Sequence, residues 1–264
     1  MVAQLLKSSS CKVKSMFIRN ILLIALSMIS INSYANISLS TYRIFLNEDN
    51  RLSSFTVFNK AQVKQECALK FRHYDYADGG KIVEFKGEGL PDYSAVPWFR
   101  MSPKNFVVAE RGVQKVTFSM RRKVHQESAE YRSIVSINCQ DIDDGSNTDK
   151  PLISLSAKLV FNIPLTVRVG EQLAQIEIQP IAIENGMVKA KLVHSGKRSV
   201  FGNFVVYEGE KEIAKLKSIS IYPNMKFKDI SIPIKDFQSS TLRFVFEELD
   251  EMDNAIKVER MVNL

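Results

Sequence analysis

Residues 153–169 read Ile-Ser-Leu-Ser-Ala-Lys-Leu-Val-Phe-Asn-Ile-Pro-Leu-Thr-Val-Arg-Val, and every odd-numbered position in this stretch is apolar. Alternation with a period of two is the pattern of a β-strand. Nine apolar residues in strict alternation would extend over about 55 Å at ~3.4 Å per residue, although strands usually have about five or six residues. Three interpretations stay open. The strand bends and serves two domains, it leaves part of its apolar row for a partner, or it is a long core strand that ends in a linker.

Shorter alternating runs fill the rest of the chain from Asn36 onward, with turn residues between them and no sustained helical periodicity. In the first half the predicted strands are Ile37–Leu46, Leu52–Asn59, Glu66–Tyr74, Asn105–Ala109, Val113–Met120, Tyr131–Cys139 and Ile153–Val169. In the second half they are Leu173–Ile183, Met187–His194, Val200–Tyr207, Glu212–Ile221, Lys226–Ile232, Thr241–Glu248 and Ala255–Met261. Seven strands in about 130 residues match an immunoglobulin-like sandwich. We therefore predict an all-β chain of two tandem immunoglobulin-like β-sandwich domains, residues 36–170 and 171–264.

The first 35 residues predict a cleaved secretory signal peptide. An acid-free segment with four basic residues precedes the apolar run Ile21–Ile31, and the small residues Ser33 and Ala35 stand at −3 and −1 of a cleavage site. The alternative is a membrane anchor, but the apolar run is well short of the ~20 residues that a bilayer requires. Translation can start at Met1 or at Met16. We expect no integral membrane segment after cleavage.

Composition and charge exclude two broad classes of protein. The 264 residues include 16 Phe and 8 Tyr, and 45% are hydrophobic, so the chain can bury a core and is not intrinsically disordered. The formal charge of +7 would suggest nucleic-acid binding. Residues 1–35 carry four positive charges and no negative ones, so the charge after cleavage falls to +3. That is too small an excess for a nucleic-acid partner.

Two cysteines remain after cleavage, Cys67 and Cys139. An exported protein enters an oxidising compartment, so a disulfide between them is the default expectation. In the immunoglobulin-like topology the third and sixth strands are antiparallel neighbours, which would place the two residues opposite each other. The alternative is two separate buried thiols.

The sequence offers no convincing catalytic or metal site. His73, His125 and His194 lie in different segments without the spacing of metal ligands. The acidic stretch that begins at Asp141 does not follow the order of a calcium-binding loop. No phosphate loop, dinucleotide fingerprint or nucleophile elbow is present. We therefore expect a protein that is not an enzyme and that needs no cofactor and no metal.

The succession of a signal peptide, an immunoglobulin-like domain, a long alternating strand and a second β-domain resembles the periplasmic chaperones of chaperone–usher pilus (fimbrial) assembly. Within that family it is similar to the non-classical branch. The resemblance covers residues 36–264. Its order of motifs carries more weight than any one of them. The most specific stretches are Ile37–Leu46, Met101–Val108 with Val113–Phe118, Glu130–Ser133, Ile163–Arg168, and Ser195–Gly202 with Val205–Tyr207.

The resemblance implies a function in the periplasm. Chaperones of this family bind pilin subunits by donor-strand complementation and deliver them to an outer-membrane usher. The residues that would be lent here are Ile153, Leu155, Ala157, Leu159 and Phe161. In the unloaded state, a second copy capping the exposed strands is a further expectation. The alternative function is that of a secreted β-sandwich adhesion or carbohydrate-binding protein, in which the long strand is only core.

The resemblance also implies a cleft in which two basic residues hold the C-terminal carboxylate of the pilin. Arg43 falls on the first basic position, although an ordinary surface cation is the alternative explanation. The second position, expected to be lysine, is Pro164, which has neither a charge nor an N–H group. Either Lys158 or Arg168 substitutes for it, or the carboxylate is held differently. Arg168 also matches the family's structural arginine at the domain junction.

Overall fold

The chain from Ile37 onward is built from strands. The computed structural model describes residues 37–121, 128–142, 159–249 and 254–263, without the side chains of Leu159 and Pro180. Among these residues the helical structure is the single 3₁₀ turn Val96–Trp98. The prediction of an all-β fold is confirmed. The predicted signal peptide, residues 1–35, lies outside the described residues.

Two sheets form a first sandwich. In spatial order, one sheet contains β1 (Ile37–Leu39), β3 (Leu52–Asn59), β9 (Val113–Met120) and β7 (Phe99–Ser102). The other contains β2 (Ile44–Leu46), β11 (Leu159–Val169), β10 (Ala129–Asp141), β4 (Gln65–Arg72) and β8 (Asn105–Val108). Side chains from both sheets meet in one hydrophobic cluster that includes Phe55, Phe118 and Leu165. Burying one such side chain contributes about 1.5–3 kcal/mol, so this cluster dominates the stability of the sandwich.

The first predicted strand, Ile37–Leu46, is wrong as a single element. The chain pairs with β3 as β1, leaves that sheet at Ser40, and joins the opposite sheet as β2, parallel to β11. Both halves bury apolar side chains in the same cluster, Ile37 and Leu39 from one sheet and Ile44 and Leu46 from the other. A strand that switches sheets keeps the alternating pattern on either side of the switch, so the sequence does not reveal the break.

A second sandwich follows. One sheet orders β12 (Ile176–Glu184), β13 (Met187–His194) and β16 (Phe227–Pro233), and the other orders β15 (Lys211–Ile221), β14 (Val200–Glu208), β17 (Thr241–Glu248) and β18 (Lys257–Asn263). Their inner faces enclose a second hydrophobic cluster that shares no buried residue with the first. By contacts, residues 37–264 nevertheless form one compact unit. The domain ranges 36–170 and 171–264 therefore stay a prediction.

A small two-stranded sheet belongs to neither sandwich. It consists of β5 (Tyr74–Tyr76) and β6 (Ile82–Glu84), joined by residues 77–81. The sequence predicted one strand through Tyr74 and did not predict β6 or β7. Each of these strands has only three or four residues, too few for an alternating pattern to be recognised.

The described part of the long alternating strand serves the first sandwich. Ile163, Leu165, Val167 and Val169 are all at most 2% exposed and belong to the first cluster. Their even-numbered neighbours point to the opposite face of the sheet, which we call the outer face. The interpretation that the strand feeds both cores is therefore wrong for residues 159–169.

Candidate functional site

One edge of β11 has an unpaired stretch. Along its other edge, β11 pairs with β10 over its whole length, from Leu159 to Val169. On the free side, β2 pairs only with residues 165–167. Within the described chain, residues 159–164 therefore have no strand partner on that side, and their backbone groups can pair with another chain. Val160 is 44% exposed on the outer face, whereas Phe161 packs partly against the first core.

The predicted donor residues fall partly on this edge. Leu159 is the first residue of β11 and lies opposite Cys139, and Phe161 lies opposite Ile137. Ile153, Leu155 and Ala157 lie outside the described residues. Phe161 is one of the odd-numbered apolar residues of the alternating row, and it packs on the core side of the sheet.

A disulfide braces the sheet next to this edge. Cys67 on β4 and Cys139 on β10 are directly opposite each other and are bonded, with an S–S distance of 2.04 Å. The expectation of a disulfide is confirmed, and the alternative of two separate thiols is wrong. Because Cys139 also pairs with Leu159, the bond lies one strand away from the point where the unpaired edge begins.

Arg43 lies between the two sandwiches. It directly precedes β2 and donates a hydrogen bond from Nη2 to the Ser220 Oγ of β15, at 2.9 Å. Its guanidinium carbon stands 3.8 Å from the centre of the Phe201 ring of β14. The side chain is half-buried, its Nε has no hydrogen-bond partner, and it forms no ion pair with a described carboxylate. Arg43 is therefore a cation without a counter-charge among the described residues, and it is held by a polar contact and an aromatic face.

Arg168 is not a free cation. It is 4% exposed and forms an ion pair with Glu130 of β10, at 3.1 Å between Nη2 and Oε2. The same carboxylate accepts the backbone N–H of Ser199, at 3.0 Å, so Glu130 joins the two sandwiches. Arg168 thus takes part in a structural junction and cannot substitute for the lysine missing at Pro164. Lys158, the other candidate, lies outside the described residues.

Arg132 is a cation that the sequence analysis did not single out. It lies on β10 and donates from Nη1 to the Asn224 Oδ1, at 3.2 Å. Its guanidinium stands between the rings of Tyr93 and Tyr222, at 5.1 and 5.2 Å from their centres. Like Arg43, it is half-buried and forms no ion pair with a described carboxylate. Arg132 lies in Glu130–Ser133, one of the stretches that carry the resemblance. Nothing in that stretch of sequence indicates whether its arginine forms an ion pair.

Strand register places the two unpaired arginines on the same face. Arg132 lies opposite Thr166, and Arg43 precedes Ile44, which lies opposite Leu165. Both therefore project from the outer face, on the strands that flank β11. Two strand spacings and two residues separate their Cα atoms, which corresponds to roughly 12 Å. Two arginine side chains at that separation can reach a single carboxylate between them.

Tyrosines line the space beside Arg132 on the outer face of the sheet, which we call the cleft. Tyr76 of β5 stacks on Tyr222 at 3.9 Å between ring centres, and Tyr93 donates a hydrogen bond to Asp75. Burial raises the pKa of the Tyr76 phenol, with a smaller contribution in the same direction from Tyr222, so this side chain is a neutral wall. The cavity that remains beside Arg132 has a volume of about 10 Å³, room for one water molecule at most.

Two histidines are buried at or near the cleft, in structural positions. Nε2 of His73 pairs with the hydroxyl groups of Ser94 and Ser133, and Nε2 of His194 pairs with the carbonyl of Arg198. Burial lowers the pKa of both imidazoles. His125 lies outside the described residues. In the described part of the chain, no group of three or more His, Cys, Asp and Glu residues is placed to hold a metal ion.

Comparison with known proteins gives matches among solved structures. No family model matches the chain, and no curated protein matches it. The YadV chaperone has 12% identity and a TM-score of 0.49, over 86% of this chain and all of that one. The chaperone DraB of E. coli has 12% identity and a TM-score of 0.49, over 86% and 96%. The CsuC–CsuE chaperone–tip adhesion subunit complex of archaic chaperone–usher pili from Acinetobacter baumannii has 9% identity and a TM-score of 0.48, over 85% and 98%.

All three of these solved structures are named as chaperones or contain one. As for membrane segments, the described residues include no helix with the length and apolar character that a bilayer span requires.

Proposed function

We propose that this chain is a periplasmic chaperone that binds pilin subunits by lending them a β-strand and delivers them to an outer-membrane usher. The observation that carries the proposal is the edge of β11, where residues 159–164 have no strand partner among the described residues on the side of β2. In the sequence this edge belongs to the longer alternating row 153–169. Export by the segment 1–35 and the division into domains 36–170 and 171–264 belong to the same proposal. No catalysis is required, because the binding energy comes from strand pairing and burial.

The chemistry of an incomplete sheet supports this proposal. A subunit that lacks one strand exposes unpaired backbone groups and an apolar groove, which the edge of β11 can complete by hydrogen bonds. The lent row is Ile153, Leu155, Ala157, Leu159 and Phe161. Four large side chains at ~2 kcal/mol each correspond to roughly 8 kcal/mol of gross burial. That exceeds the contribution of any one ion pair, so the strand would dominate the affinity.

The unpaired arginines support a second contact. Arg43 would hold the C-terminal carboxylate of the subunit, and Arg132 would take the part expected of a lysine at position 164. A charge-assisted hydrogen bond to a carboxylate is worth about 1.5–3 kcal/mol. The carboxylate would therefore fix the register of the lent strand more than it would add to the affinity.

The experiment is a pull-down from periplasm that contains the neighbouring secreted β-rich proteins. The bait is residues 36–264, compared with the double variant Leu155→Asp/Leu159→Asp. The matched control is Ser156→Asp/Val160→Asp, which adds the same two charges at positions of the opposite parity. We expect a stoichiometric β-rich partner that the control retains and that binds the double variant at least about a hundredfold more weakly. A partner that persists in the double variant, or that both variants lose equally, would contradict the proposal.

A further inference from the structure

The hairpin of β5 and β6, residues 74–84, reaches from the first sandwich to the second; we call it the strap. Its tip contacts β16, the edge strand of the three-stranded sheet. The backbone N–H of Gly79 donates to the Phe227 carbonyl at 2.9 Å, and Gly79 forms a parallel bridge with Lys228. The Asp78 carboxylate accepts the backbone N–H of Lys226 at 2.7 Å. The strap therefore continues the second sandwich's sheet by a single short bridge.

Besides this contact, the strap is held by a few side-chain contacts near its base. A two-stranded hairpin is marginally stable on its own. All three residues of β6 are exposed, Ile82 by 61% and Val83 by 45%. Near its base, the ion pair of Arg72 with Glu84 is about half exposed on both sides and contributes little. Docking on β16, the stacking of Tyr76 on Tyr222 and the hydrogen bond from Tyr93 to Asp75 are thus its principal contacts with the rest of the fold.

The strap also lines the cleft, through Tyr74 and Tyr76. Tyr222 lies between Tyr76 of the strap and the guanidinium of Arg132. With this stack in place, the cavity beside Arg132 is too small for a carboxylate. A carboxylate can enter this cavity only if Tyr222 or another of its walls moves, whereas the hydrogen bond from Arg132 to Asn224 lies on the exposed side of the guanidinium.

We propose that the strap locks the two sandwiches together and closes the cleft over Arg132, so that its release from β16 opens the cleft. The locking does not depend on the proposed chaperone function. Only the identity of the ligand as a subunit's carboxylate rests on that function. The strap would act as a weakly held segment that opens and closes a site when it leaves and rejoins its docking strand.

Two glycines supply a matched pair of variants. Gly79 and Gly89 both have a φ of +76°, so a side chain imposes the same backbone strain at either position. A Cβ at Gly79 would stand 2.8 Å from the Asp229 Oδ2 of β16, whereas a Cβ at Gly89 would meet no atom within 4 Å. Gly79→Val therefore displaces the Asp229 carboxylate and crowds the contact of the strap with β16, and Gly89→Val is the control for strain alone.

The experiment measures distances between the sandwiches by electron–electron double resonance. Spin labels are placed on the exposed residues Lys115 of β9 and Lys217 of β15, in protein secreted from the full sequence. We expect a narrow distance distribution in the parent and in Gly89→Val, and one about twice as broad in Gly79→Val. Asp78→Ala, which removes only the carboxylate bond to Lys226, should broaden it in the same direction and serves if Gly79→Val folds poorly. An unchanged width in both strap variants, or equal broadening in Gly89→Val, would overturn the proposal.

Arginine labelling tests the closure of the cleft. Phenylglyoxal modifies accessible guanidinium groups, and the rates at Arg132 and at the fully buried Arg198 can be compared by peptide mass spectrometry. The rate at Arg132 should rise about fivefold in Gly79→Val and stay constant in Gly89→Val, with Arg198 unreactive in both. A constant rate at Arg132 would show that the strap does not close the cleft. Neither measurement uses a pilin subunit. A negative result for the strap can therefore be distinguished from a negative pull-down.

Discussion

Arg168 and Glu130 form an ion pair that is almost completely buried, with side chains that are 4% and 1% exposed. Glu130 also accepts the backbone N–H of Ser199, the residue before β14. One carboxylate thus holds β11 and β10 of the first sandwich and the start of a strand of the second. Removing one partner of such a pair leaves a buried charge without compensation, which costs far more than the pair itself contributes.

Glu130→Ala is therefore expected to lower the free energy of unfolding by about 3–5 kcal/mol. Urea denaturation followed by tyrosine and tryptophan fluorescence measures the change. The control is Glu184→Ala, which breaks the exposed pair of Glu184 with Lys189 and should cost no more than about 1 kcal/mol. Equal effects of the two variants would show that the buried junction does not contribute to stability.

The disulfide is expected to contribute to stability because it restricts the unfolded chain. Cys67 and Cys139 are 72 residues apart. Replacing both by Ala should lower the free energy of unfolding by about 2–5 kcal/mol. The measurement is the urea midpoint of the double variant, compared with that of the parent under oxidising and reducing conditions. Reduction should destabilise the parent and leave the double variant unchanged, and the opposite pattern would contradict the assignment.

Acidification is expected to destabilise the fold through its buried histidines. Burial lowers the pKa of His73 below the value of 6.5 that it has in the unfolded chain. The unfolded chain therefore takes up the proton first as the pH falls. The contribution of His73 is complete above pH 6.5 and is lost on descent from there through the lower folded-state pKa. His194 acts in the same direction.

The urea midpoint should therefore fall between about pH 7.5 and about pH 5, and it should fall less steeply in His73→Asn. The variant keeps a polar group near Ser94 and Ser133, so the comparison isolates the proton more than the contact. An identical slope in the parent and the variant would mean that His73 is not the group that titrates.

The sequence predicted the strands that follow a strict alternation and missed the features that depend on distant contacts. β9 begins at Val113 and ends at Met120, as predicted, because one face is buried and the other is exposed. The strap was missed because its strands have three residues each and its partner, Lys226, is 148 residues away from Asp78. Arg132 and Arg168 look alike as cations between apolar neighbours. Only the structure reveals that Arg168 forms a buried ion pair and that Arg132 forms none with a described carboxylate.

Arg132→Gln should weaken binding of the subunit without lowering stability. The side chain is half-buried and makes no ion pair with a carboxylate in the part of the chain that the structure describes, so its replacement by a neutral amide leaves no such charge buried and unpaired. The expected loss of affinity for the subunit captured in the pull-down is roughly tenfold or more. Titration calorimetry measures it, with Arg100→Gln, an exposed arginine on β7, as the control.

A double-variant cycle places Arg132 at the carboxylate. If Arg43 and Arg132 hold the same group, Arg43→Gln/Arg132→Gln should lose less affinity than the two single losses combined. Amidating the C-terminus of the subunit should abolish the effect of Arg132→Gln. Strict additivity, or a full effect on the amidated subunit, would assign Arg132 to another contact.

The unpaired edge of β11 predicts self-association of the unloaded chain. An edge with open backbone groups is a template for a second strand, and a second copy supplies an identical edge. We expect a concentration-dependent dimer in light scattering after size exclusion, which Leu155→Asp/Leu159→Asp converts to monomer and Ser156→Asp/Val160→Asp retains. Subunit binding should compete with the dimer, because both occupants require the same edge. A dimer that persists in the double variant, or that binds subunit without dissociating, would place the self-contact on another surface.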